Sequence, residues 1–170
     1  MNLVNEDQPG GVGGESVIRK PLGTYASRVD DKGRLKLPVD FERYLRSIST
    51  DVADVLFITS FDGKYARIYS SSVWEAQLPV LETADPDAET GSQLVLEAYH
   101  YGASSSIDNQ GRLLIPPDLR KEMEVENQPV RLMCIRKHVA VMSEAEYQKR
   151  RLDAAARQKA VARYEQKGLQ

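Results

Sequence analysis

From Thr24 to Asp30 the side chains alternate, with Tyr25, Ser27 and Val29 sharing one face, which is the two-residue period of a strand with one buried side. Asp30-Asp31-Lys32-Gly33 then interrupts the pattern. The Asp30 carboxylate is placed to accept N–H groups of a tight turn, and Gly33 supplies the positive φ that the reversal needs. Arg34-Leu35-Lys36-Leu37 resumes the alternation with both leucines on one face and both cations on the other. Pro38 closes this strand and suits a first helical turn, so Val39 to Ile48 is expected to be a short helix with Phe41, Leu45 and Ile48 inward.

The same pattern returns at Ile107 to Lys121. Without a gap, Asp30, Gly33, Arg34, Leu35, Pro38 and Asp40 recur as Asp108, Gly111, Arg112, Leu113, Pro116 and Asp118. Apolar phase is kept where identity is lost, Val29 matching Ile107, Leu37 matching Ile115 and Phe41 matching Leu119. The chain therefore holds one strand–turn–strand–helix unit twice. Each copy with the strands after it is only about 50 residues, a size at which a separate core is marginal. The halves are expected to share a core or to borrow one from a neighbouring chain.

After the first copy, Val55 to Phe61 is an apolar run fit for a buried strand, Asp62-Gly63 is a hairpin turn signal, and Lys64 to Tyr69 returns. Ser71 and Ser72 precede a helix start at Val73-Trp74-Glu75, with Trp74 as a packing anchor. The acidic, proline-broken stretch Glu82 to Glu89 separates the halves, and Gln93 to Tyr101 is expected to be a helix leading into the second copy. Val130 to Ile135 and Val139 to Met142 are strands around a turn near Lys137-His138. Ser143-Glu144-Ala145-Glu146 has capping-box spacing and opens a helix expected to run to about Gly168. The division is residues 1–22 as a disordered, glycine-rich arm, 23–72 and 103–146 as the two repeats, 73–102 as a helical connection with the acidic linker, and 147–170 as a basic helical tail.

The two motifs, Asp30-Asp31-Lys32-Gly33-Arg34 and Asp108-Asn109-Gln110-Gly111-Arg112, each followed by an apolar strand, a proline and a short helix, resemble the paired Asp-x-x-x-Arg motifs of the MraZ transcriptional regulators. The resemblance covers roughly Thr24 to Tyr147. It implies an α+β fold with a mainly β core: two AbrB-like swapped-hairpin β-barrel repeats in a pseudo-two-fold relation, with short helices and a C-terminal helix. It also implies a homo-oligomeric ring that binds repeated promoter boxes, as a repressor of a division and cell-wall gene cluster, with DNA contact at the first motif. The arginine usual in the family after Phe41 is replaced by Glu42, whereas the second copy keeps Arg120.

Net charge is −2 with a pI near 5.8, which taken over the whole chain argues against nucleic acid. The charges are segregated, however. Thr24 to Thr50 carries six cations against four anions, and Ala103 to Glu126 three cations against five anions. The first copy is thus the better DNA reader. A two-stranded ribbon enters the major groove, where Arg pairs with guanine O6 and N7 while neighbouring cations hold phosphates. Arg34 and Lys32 are the leading contacts, with Arg28 and Lys36 assisting and Arg112 their counterpart in the second copy; the competing role for Arg34, and more so for Arg112, is an ion pair with Asp30 or Asp108 that holds the turn shut. Asp30, Gly33, Asp108 and Gly111 are the turn-forming residues. The basic C-terminal helix is either a solvated helix packing lightly on a neighbour or an aid to DNA binding.

No catalytic set is discernible: no serine elbow, no Cys–His pairing signal, no phosphate-cradling glycine loop. His100 and His138 suggest no third metal ligand, and no cofactor or small-molecule substrate is implied. Cys134 is the only cysteine, expected to be buried and inert; the lack of a disulfide framework, of a membrane span and of a signal-peptide core points to the cytoplasm, on the nucleoid by resemblance. The rival reading is an oligomeric protein-interaction or antitoxin-like module with weak or no DNA binding, which the acidic linker and the charge deficit of the second copy favour.

Overall fold

The first copy lays down, in the computed structural model, β1 (Tyr25–Arg28), β2 (Arg34–Lys36) and α1 (Val39–Ser47). That structure describes residues 17–82 and 88–170. A hairpin of β3 (Leu56–Thr59) and β4 (Tyr65–Ser70) follows, then three helices, α2 (Ser71–Glu75), α3 (Leu78–Glu82) and α4 (Ala88–Tyr101). The second copy gives β5 (Ala103–Ser105), β6 (Arg112–Leu114) and α5 (Pro117–Glu122), followed by the hairpin β7 (Pro129–Ile135) and β8 (His138–Ser143). Helices α6 (Glu144–Arg150) and α7 (Ala154–Glu165) complete the chain. The fold is α+β, built on antiparallel strands.

Neither half pairs with itself alone. The six-stranded sheet runs β1-β7-β8-β4-β3-β5, and β2 pairs with β6 in a separate two-stranded ribbon. Thus β1 of the first copy lies on the hairpin that follows the second, and β5 of the second copy lies on the hairpin that follows the first. The hairpins themselves meet where β4 pairs with β8. The core follows the same logic. Val29, Leu35, Leu37, Phe41 and Leu45 are at most 1% exposed and share one cluster with Leu113, Ile115, Leu119 and Val125 from the second copy. Two units too small to bury a core apiece have closed a common one.

Local chemistry explains most element ends. At Asp62-Gly63 the backbone turns with Gly63 at φ +67°, while Ser60 Oγ accepts the Gly63 N–H at 3.0 Å and Asp62 Oδ1 accepts the Lys64 N–H at 2.9 Å. Ser70 caps α2 and Ser143 caps α6, accepting the N–H of Val73 and Glu146. Trp74, 4% exposed, anchors a second apolar cluster with Tyr69, Val73 and Ala98, its ring 4.8 Å from that of Phe57. Cys134 is half-buried in β7, and burial pushes its thiol up to about 11, so the sulfur is a protonated packing atom.

Three expectations need correction. The C-terminal helix is not continuous to Gly168: it stops at Arg150, Arg151 is extended, and α7 restarts at Ala154 because the Asp153 carboxylate accepts the Ala156 N–H at 2.8 Å. An N-cap aspartate competes with helix continuation, and here it wins. The helix before the second copy begins at Ala88 rather than Gln93, and the helical connection ahead of it is broken into α2 and α3. Ile48 is the C-cap of α1 and packs against the second cluster, while Tyr44 takes an inward place beside Phe41 and Leu45. Of the expected disordered arm, residues 1–16 lie outside the described residues, as do residues 83–87 of the acidic linker; residues 17–22 have no regular structure.

Candidate nucleic-acid interface

The two Asp-x-x-Gly-Arg turns are built alike and stand at opposite ends of one short two-stranded ribbon. In the first, Asp30 Oδ1 accepts the backbone N–H of Arg34 at 2.8 Å and of Lys32 at 3.0 Å, and Asp30 Oδ2 accepts Arg34 Nε at 2.7 Å. In the second, Asp108 receives Arg112 N, Gln110 N and Arg112 Nε at 2.9, 2.8 and 2.9 Å. Both carboxyls are held below the usual carboxylate range, first by the backbone N–H of the arginine and further by its guanidinium. Ion pair and turn are therefore one construction: the aspartate closes the loop through the backbone and fixes the arginine through Nε.

The ribbon joins them. β2 and β6 run antiparallel with Arg34 opposite Leu114, Leu35 opposite Leu113 and Lys36 opposite Arg112. Its ends are tied crosswise, Leu37 N–H donating to Gly111 O at 2.9 Å and Ile115 N–H to Gly33 O at 3.0 Å. Leu35 and Leu113 point into the core at 0% and 1% exposure. The inward leucines set the register, so the basic side chains between them must face out.

The expected contact residues are in different states. Lys32 is exposed and its ammonium carries no hydrogen bond or ion pair among the described residues. Arg34 and Arg112 spend Nε on their aspartates at side-chain exposures of 31% and 26%; both terminal nitrogens of Arg34 remain unbonded, which is the pair that a guanine edge takes. Lys36 donates to the Gln110 carbonyl of the other turn. Arg28 donates to the backbone and side-chain oxygens of Asn127 at 2.7 and 3.1 Å. The ribbon thus brings Lys32, Arg34, Lys36 and Arg112 together, while Arg28 sits beside them on β1.

Arg120 is the residue whose place the sequence did not disclose. Its guanidinium lies over the first turn, so that a Cβ at Gly33 would fall 2.5 Å from Arg120 Cζ, and it is held there by Ile115 O and Glu126, each at 2.8 Å. The aligned residue of the first copy, Glu42, instead pairs with Arg46 at 3.0 Å. Gly111 is covered by Lys36. The pair of turns is thus asymmetric: the first carries one extra guanidinium from the opposite copy. Gly33, at φ +79°, serves both conformation and close approach. Gly33→Ala is expected to cost about 1–2 kcal/mol for the left-handed backbone and more for displacing Arg120. Gly23→Ala, at φ +93° with nothing within 4 Å, isolates the first part. Urea midpoints should fall further for Gly33→Ala than for Gly23→Ala; equal losses would remove Arg120 from the turn.

No protein-family model matches the chain. Curated relatives do. A protein named transcriptional regulator MraZ from Koribacter versatilis is 35% identical over 136 residues, covering 78% of this chain and 88% of its own length. Its namesake from Acidobacterium capsulatum is 38% identical over 109 residues, 61% of this chain and 68% of the relative. One from Roseiflexus sp. is 32% identical over 109 residues, 64% and 71% respectively.

Proposed function

Because the chain belongs to the MraZ family of transcriptional regulators, we propose that it binds duplex promoter DNA through the β2–β6 ribbon and acts as a repressor. The supporting observation is the pair of aspartate-locked turns, the first of which carries the Lys32 ammonium and two Arg34 terminal nitrogens that have no partner among the described residues. In this reading Arg34 reads a base while Lys32, Lys36 and Arg28 meet phosphates, and Arg112 has the smaller share. The fold belongs with AbrB-like swapped hairpins, for which the crosswise pairing of β1 with β7 and β5 with β3 is the support. Residues 23–72 and 103–146 are the repeats, 73–102 connects them, and 147–170 is a basic tail.

A few cations per chain give weak binding. Several copies closed into a ring would engage repeated boxes on one DNA and multiply affinity through effective concentration. The site of action would be the nucleoid, and no cofactor or catalysis enters the scheme. No helix among the described residues is long and apolar enough to cross a membrane.

A mobility-shift titration of the native particle with its own upstream promoter, at several salt concentrations, tests this. About three phosphate contacts per engaged ribbon should make log K fall with log salt at a slope of roughly −3 per ribbon. No shift in dilute buffer, or an affinity indifferent to salt, would favour the interaction-module reading, for which the charge deficit of the second copy speaks.

A further inference from the structure

Away from the ribbon, between α2–α3 and the β7–β8 turn, lies a cavity of about 390 Å³, a size typical of small-molecule sites. Phe61, Tyr69 and Trp74 form aromatic walls, with Val80 and Leu81 opposite. Among the described residues its polar lining is cationic or neutral: Arg67, Arg136, Lys137, His138 and Gln77. The turn that carries Arg136 lies at the far end of β7 from Gln128, whose carbonyl accepts the Val29 N–H beside the first motif. Seven strand residues put the cavity about 20 Å from that motif.

Two covered polar atoms behind this wall lack partners among the described residues. His138 is 4% exposed and its Nε2 makes no hydrogen bond; Arg67 Nε is likewise buried and unbonded. Buried polar groups are nearly always satisfied, and leaving one unpaired is costly. The Arg67 guanidinium is held in place, sandwiched 4.7 Å from the Phe61 ring centre and 4.8 Å from that of Tyr65. His138 stacks on Tyr69 at 5.0 Å. Burial, with Arg67 and Arg136 near, pushes the imidazole down to about 4, so it is neutral at pH 7 and the positive charge comes from Arg67, Arg136 and Lys137.

We propose that this cavity binds a small anionic molecule with a flat apolar body, an aryl carboxylate being the simplest of its class. The carboxylate accepts from the terminal nitrogens of Arg67, with Arg136 and Lys137 balancing its charge. The ring lies against Trp74 and Tyr69. This site is independent of DNA binding, and its test uses no DNA.

Benzoate is the probe, titrated into the full-length particle by calorimetry and by the fluorescence of Trp74, the chain's single tryptophan. Saturable binding with Kd of about a millimolar or tighter is expected for so small a ligand, together with a change in Trp74 emission. Benzamide, its neutral counterpart, should bind at least ten times more weakly. Arg67→Gln should abolish binding. Since Arg67 is partly buried and that variant risks misfolding, the double variant Arg136→Asn with Lys137→Gln is the second arm: Arg136 sits at φ +52°, which asparagine tolerates, and binding should weaken at least fivefold. No saturable heat up to 10 mM, benzamide binding as tightly as benzoate, or an unaffected double variant would each overturn the proposal. A double variant that changes particle size, with no benzoate heat in the parent, would make the cavity a contact between copies instead.

Discussion

Arg34→Ala is expected to abolish the promoter shift while the particle keeps its size and most of its stability. The reason lies in how Asp30 is satisfied. Its strongest influence is the backbone N–H of residue 34, with the Lys32 N–H adding to it, and alanine keeps both. The side-chain pair that is lost is about a third exposed on each partner, a setting in which solvent screening leaves an ion pair little to contribute. A bidentate contact to guanine is instead worth about 1–3 kcal/mol, or roughly 5- to 150-fold in affinity. In the ring proposed above, several ribbons would engage at once and that factor would compound. Arg34→Lys should be nearly as poor on promoter DNA yet keep a weak, salt-sensitive affinity for any duplex, because it retains the charge and loses the fork. If Arg34→Ala instead dissociates the particle, or lowers its urea midpoint by as much as a core truncation, the arginine is a structural latch. If it binds like the parent, the base-reading role goes elsewhere.

The legible parts of this chain were those fixed by near neighbours. The turn at Asp30 and Gly33 could be read because every bond in it spans at most four residues, and the helix after Pro38 because Phe41 and Leu45 keep helical spacing. The cap at Asp153 was legible in principle, since an aspartate before Ala154-Ala155-Ala156 is a start signal; the capping-box spacing at Ser143 and the alanine-rich run after Asp153 outweighed it. What could not be read is whatever crosses between the copies. Arg120 covers a glycine 87 positions earlier, Arg28 binds Asn127, and β1 finds β7 rather than a strand of its own half. Single-sequence periodicity gives the face that a strand buries, not the partner that buries it. The cavity escaped for the same reason: α3 has no strong apolar period, and its role as a wall depends on the β7–β8 turn more than fifty residues later.

Phe41→Ala should lower unfolding free energy by about 3–5 kcal/mol, the usual range for deleting a buried phenylalanine, and should do so for the whole chain at once. Phe41 is fully buried, meets the Tyr25 ring edge-on at 4.8 Å, and belongs to the cluster that also holds Leu113, Ile115 and Leu119. Leu119, its counterpart in the second copy, is equally buried, so Leu119→Ala should destabilise the same transition by about 2–5 kcal/mol. Trp74 is the useful observer because it sits in the other apolar cluster. The two clusters are joined along β4, where Ile68 faces the first and Tyr69 the second, and β4 is hydrogen-bonded to both β3 and β8. A cavity left by either truncation should therefore move the urea midpoint seen by Trp74 fluorescence and by far-ultraviolet circular dichroism together. A domain of this size holds only about 5–15 kcal/mol in total, so either variant removes a large share of it. Separate midpoints for the two probes, or a loss below about 1 kcal/mol, would mean that each copy closes a core of its own, and the interleaved sheet would not be the folding unit.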